Sequence, residues 1–198
     1  MPIMPSIAPP GVAENALIEA RTSQRARAPV GTVPAGEEGG GNPIAEASEP
    51  LPIYSIPIET LAYNPVAALG NAQRHGWRVI TIDAGGAQLV DLAGDDARPV
   101  SVRRGASIGN LVSAGHLAEA TLPADTSYEP RVIDFTRLGM SALWMHSADS
   151  ADQFFTLEPR SRHLSGETLI EEAGTLARQR LENQSERRNS GSMDDLGG

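Results

Sequence analysis

Lysine and cysteine are both missing from this chain: all sixteen basic residues among its 198 are arginine. Each absence removes chemistry. Without lysine there is no Schiff base and no lysine to hold a nucleotide phosphate in a P-loop or kinase-type site. Without cysteine there is no thiol nucleophile, no disulfide and no thiolate metal site. Long apolar runs are missing as well, since no stretch approaches the roughly eighteen consecutive apolar residues of a membrane span. The opening segment, MPIMPSIAPPGVAENALIEARTSQRARAP, lacks a basic region followed by a continuous apolar core and does not read as a secretory signal. With no signal and no cysteine, the cytoplasm is the default compartment. Exclusive use of arginine, with much Ala, Gly and Pro, reads as the codon bias of a GC-rich bacterial genome. Escape from lysine-directed modification is the functional alternative.

Positive charge is also short. The formal net charge is −9, from 16 basic residues against 25 carboxylates. Residues 1–50 hold three arginines and six carboxylates, 51–164 nine and twelve, and 165–198 four and seven, so each part nets −3. No part supplies the positive field that a phosphate backbone or an anionic membrane surface requires. Nucleic-acid and membrane partners are therefore disfavoured.

Aromatic residues number eight, and all lie between Tyr54 and Phe155. Because aromatics bury large areas per residue, this confinement marks the core-forming segment. Residues 1–50 hold eight of the fifteen prolines and no aromatic, a composition that reads as a disordered arm. Within it, Val12, Ala16, Leu17 and Ala20 form a short amphipathic stretch suited to becoming helical on a partner. The domain itself is placed at 51–160, followed by an amphipathic helix over 161–183 and a disordered tail over 184–198.

Inside the domain, Ile53 to Ile58, bounded by Pro52 and Pro57, reads as an edge strand, because proline cannot donate to a ladder. Asn64-Pro65 reads as an N-cap with proline at the first helical position, opening a helix to His75 with Val66, Leu69, Ala72 and Gln73 near one face. Gly76 is then its left-handed terminator. Trp77 to Asp83 is rich in β-branched residues, Ala84-Gly85-Gly86 turns the chain, and Ala87 to Leu92 returns as the partner strand. Arg98 to Arg103 adds a strand. Ile108, Leu111, Val112 and Gly115 recur at helical spacing. Strands follow at Arg131–Thr136, Met140–Ser147 and Gln153–Leu157. Leu169, Ala173, Leu176, Ala177 and Leu181 form a helical stripe after an N-cap at Ser165. Helices flanking consecutive hairpins indicate an α+β fold. The architecture expected is one antiparallel sheet of about five or six strands with the 65–75 helix on one face, a roll resembling the cystatin-like arrangement.

The densest polar cluster is His146, Ser147, Asp149, Ser150 and Asp152. An imidazole oriented by a carboxylate beside a hydroxyl is general acid–base chemistry. Against this, hairpin loops collect Ser and Asp because these side chains bond their own backbone. The same loop offers oxygens to a hard cation, but Glu158 is the only later carboxylate nearby for the bidentate position and no glycine marks the sharp turn of a calcium loop. The four histidines, His75, His116, His146 and His163, are scattered, so no metal site and no cofactor are expected. Arg103, Arg104 and Ser107 precede a helix start and are the best candidates for holding a phosphate or carboxylate. The competing reading is a solvated turn whose arginines pair with Asp95, Asp96 or Glu119. The terminal Gly197-Gly198 resembles the tail of a ubiquitin-like modifier over two residues only.

These observations favour a non-enzymatic bacterial cytoplasmic domain that binds another protein through its sheet or its arms. The alternatives are a small hydrolase-like enzyme using His146 with Asp149 or Asp152, and an assembly component of a phage or other particle.

Overall fold

In the computed structural model, which describes residues 2–25, 46–83 and 86–191, a single open sheet of nine strands is covered by four helices. The strands are β1 (Glu46–Ala47), β2 (Leu51–Ser55), β3 (Gln73–Asp83), β4 (Gly86–Ala93) and β5 (Arg98–Arg103). They continue with β6 (Glu129–Phe135), β7 (Met140–His146), β8 (Gln153–Thr156) and β9 (His163–Ser165). The helices are α1 (Val12–Arg25), α2 (Ile58–Tyr63), α3 (Ala106–Thr121) and α4 (Gly166–Gly191). The sheet order is β5-β4-β3-β2-β6-β7-β8-β9, with β1 also pairing to β3. The fold is α+β, as read from the sequence, but the sheet is larger than five or six strands.

Two antiparallel meanders, β3-β4-β5 and β6-β7-β8-β9, meet at β2. There β2 pairs antiparallel with β3 and parallel with β6, the one parallel pair among the described strands. The segment read as an edge strand is therefore central. Pro52 is tolerated because β6 pairs only with Ile53 and Tyr54, so one flank of β2 is still open at the proline.

Side-chain alternation along the strands assigns helices to faces. Trp77, Val79, Val90 and Leu92 pack with Val12, Ala16 and Ala20 of α1. On the same face, Tyr54, Ile133, Phe135, Ala142, Trp144 and Phe154 pack with α2 and α4. The opposite face presents Leu89, Leu143, Met145 and Phe155 to Leu111, Ala114 and Ala118 of α3. Both faces are thus covered, where a helix on one face was expected. α3 touches β4 as well as β7 and β8. In a flat sheet β4 and β7 lie four spacings apart, roughly 19 Å, wider than a helix about 10 Å across. The sheet must therefore curl around α3.

Local chemistry accounts for the helix ends. The Thr168 N–H donates to Ser165 Oγ (3.2 Å), the N-cap anticipated for α4. Gly105 precedes α3 at φ +67°, a conformation that favours glycine. The expected 65–75 helix is displaced: α2 starts at Ile58 after Pro57, and Pro65–Ala67 and Leu69–Asn71 are single 3₁₀ turns. Asn64 precedes the first of these without a side-chain cap bond. Gly76 is not a helix terminator but a residue within β3.

The arm read over residues 1–50 is in part built into the fold. Pro2 to Met4 bond across to Tyr128, and α1, the stretch expected to fold on a partner, packs on the chain's own sheet. Residues 26–45 lie outside the described residues. At the other end, α4 extends beyond residue 183, and the terminal residues 192–198, with Gly197 and Gly198, are also outside the description.

Candidate functional site

His146 closes β7, and the hairpin that follows brings Asp152 back beside it. His146 Nδ1 lies 2.8 Å from Asp152 Oδ1, which also accepts the Ser147 N–H at 3.3 Å. With a carboxylate as acceptor, Nδ1 carries the proton of this contact. The ring packs edge-on to Trp144, with centroids 5.6 Å apart. Of the sequence-derived cluster the structure unites only this pair. Asp149 is exposed, and its N–H donates to Ser147 Oγ at 3.2 Å. Ser150 Oγ sits 3.4 Å from the Tyr128 hydroxyl. Both serines are thus engaged with the loop and its neighbour, as hairpin-loop residues are.

Register places Glu129 opposite His146 and Arg131 opposite Trp144. The Arg131 guanidinium stacks over Tyr54 and Trp144, about 5 Å from each centroid, and donates to Glu129 from Nε (3.1 Å) and a terminal nitrogen (2.5 Å). The Ser6 hydroxyl donates to the other Glu129 oxygen. Burial acts to raise the Glu129 pKa, but the bonds from Arg131 and Ser6 and the charges of Arg131 and His146 outweigh it and hold it below its ordinary value. This ring of paired groups ties the N-terminal segment to the sheet.

Arg103 and Arg104 do not converge at the start of α3. The Arg103 guanidinium is drawn to Asp91, while Arg104 is exposed and Ser107 half-buried. The partners expected for them are used elsewhere: Asp95 pairs with Arg74 and Asp96 with Arg98. Asp91 is the hub of an ion cluster on the α3 face. Arg78, 1% exposed, forks onto it at 2.7 and 3.1 Å, Ser101 Oγ donates at 3.2 Å, and Arg78 also approaches Asp134 to 3.6 Å. No group of three His, Asp or Glu residues suited to a metal ion occurs among the described residues.

Two clefts lie apart from the His146–Asp152 pair. The first, about 400 Å³, opens at the carboxyl ends of β2 and β6. The second, about 570 Å³, lies between the 3₁₀ turns and α4, with Leu69 and Ile170 in its lining and Glu167, Glu171 and Arg178 around it. Val66, which also lines it, is 99% exposed, and Tyr63 at the end of α2 is 75% exposed. Gly174 of α4 lets that helix approach α2: a Cβ there would lie 2.9 Å from the Leu61 carbonyl oxygen. Sequence reasoning placed Val66 and Leu69, with Ala72 and Gln73, near one face of a single helix. The break into two 3₁₀ turns is what leaves Val66 in solvent, and Asn64-Pro65 is its only local signal.

No protein-family model, curated protein or solved structure matches the chain. None of the described helices is long and apolar enough to cross a membrane.

Proposed function

We propose that this chain is a non-enzymatic protein-binding module that takes an apolar, basic segment of a partner into the cleft between the 3₁₀ turns and α4. The observation that carries this reading is Val66, almost fully exposed at a cleft whose lining includes Leu69 and Ile170. A bare apolar side chain at the lip of an apolar cleft is a feature of interaction surfaces. Glu167 and Glu171 on the rim have no ion-pair partner among the described residues, which selects a basic segment. Docking through a sheet edge is less favoured. β5 carries Pro99, two terminal arginines and a register shift at Val100, devices that protect an edge from pairing, and β9 is three residues long.

The test is selection from a displayed peptide library on the whole chain. Enrichment of peptides combining a large apolar residue with Arg or Lys, lost on Val66→Asp, supports the reading. Enrichment that survives this substitution, or no enrichment, overturns it.

A hydrolase-like reading has one observation in its favour, the Asp152-oriented His146. The loop serines are committed elsewhere, and neither cleft is lined by His146.

A further inference from the structure

The cleft at the carboxyl ends of β2 and β6 has walls from two distant parts of the chain. One is the turn from β2 into α2, with Ser55, Ile56 and Glu59, and the other is the exit from β6, with Asp134, Thr136 and Arg137. β2 and β6 are the parallel neighbours of an otherwise antiparallel sheet, and their chains leave toward different elements, as at the crevices where parallel α/β sheets hold ligands. Its volume of about 400 Å³ lies within the range of small-molecule sites.

The charges on the two walls are opposite and separate. Glu59 and Arg137 do not form an ion pair with each other, and neither has a partner among the described residues. Between them, Asp134 is held from both sides. Its Oδ1 accepts the Thr136 hydroxyl at 3.2 Å, and its Oδ2 lies 3.6 Å from the buried Arg78. Asp134 shares the wall of Arg137 with its charge offset by the buried Arg78, so Glu59 on one wall and Arg137 on the other are the unpaired charges of the cleft among the described residues. Leu61, Phe135 and Leu138 supply apolar lining.

We propose that this cleft binds a free α-amino acid with an apolar side chain. Its ammonium meets Glu59, its carboxylate meets Arg137, and its side chain lies against the apolar lining. A zwitterion satisfies both walls without adding net charge, and a guanidinium–carboxylate contact supplies direction as well as attraction. This site is separate from the peptide cleft and stands or falls without it.

The test is titration of the whole ¹⁵N-labelled chain with L-leucine, isopentylamine (which lacks the carboxylate) and N-acetyl-L-leucine (which lacks the ammonium), following amide shifts. Leucine is expected to shift residues 55–59 and 134–138, with affinity at least about tenfold above either analogue. Arg137→Gln, on an exposed turn, is expected to weaken leucine about tenfold and leave isopentylamine unchanged, and Glu59→Gln to leave N-acetyl-leucine unchanged. Absence of shifts at about 10 mM leucine, or equal leucine affinity in wild type and both variants, overturns the proposal.

Discussion

Gly76 lies against the β4 backbone: a Cβ on it would lie 2.1 Å from the Leu92 carbonyl oxygen, a backbone atom with little room to move. Gly76→Ala therefore forces the two strands apart, and is expected to cost about 3 kcal/mol, read from the urea midpoint. Arg78 poses a different residue-scale problem. Removing it takes one of two arginines from Asp91 and leaves Asp134 without an ion-pair partner among the described residues on a covered face, so Arg78→Ala is expected to cost roughly 3–5 kcal/mol. Arg78→Met with Asp91→Leu should recover only part of that loss in the same denaturation measurement, because the apolar pair replaces Arg78 and Asp91 but leaves Asp134 and Arg103 without ion-pair partners among the described residues. Glu129 adds a pH dependence. Its folded pKa is depressed, with burial opposed and outweighed by Arg131 and Ser6. The carboxylate therefore stabilises the fold at neutral pH, and that contribution disappears as the pH falls through the folded value. The stability gap between wild type and Glu129→Gln should be widest near pH 7 and close below about pH 4, measured by denaturation at each pH.

At the scale of elements, α4 divides in two. Leu169, Ile170, Ala173 and Ala177 are buried in the core it shares with α2 and the sheet, whereas residues 182–187 are all exposed. Arg162, just before β9, forks onto Glu172 of α4 at 3.0 and 3.1 Å. Truncation after Pro159 should thus lower the melting temperature by about 10 °C or more, since Leu169 and Ile170 alone contribute roughly 1.5–3 kcal/mol each. Truncation after Glu182 should leave it nearly unchanged. The β3–β4 hairpin, β5, α3 and the β6–β8 meander were legible in the sequence because their signals are local: β-branched runs, glycine turns and helical spacing. The placement of β2 was not. Pro52 argues for an edge by a local rule, but the neighbour that makes β2 central is β6, far along the chain, and only Ile53 and Tyr54 pair with it. The helix expected from Asn64-Pro65 failed for a similar reason. Ile58, Leu61 and Ala62 are the buried residues of α2, which packs against α4 and ends at Tyr63, before Pro65.

For the whole molecule, nine strands curl around α3 while α1, α2 and α4 cover the outside. Of the sequence-derived site, the His146–Asp152 pair was legible because only the five residues of a hairpin loop separate its members. Neither cleft was, because each joins segments that only the tertiary fold brings together: Val66 with Ile170, and Glu59 with Arg137. The central claim is that the Val66 cleft is a protein-binding surface, and calorimetric titration of a library-selected peptide tests it most directly. The account predicts that Val66→Asp and the Glu167→Arg/Glu171→Arg double substitution each weaken binding at least about tenfold without changing the melting temperature. Wild-type affinity in both variants would contradict it.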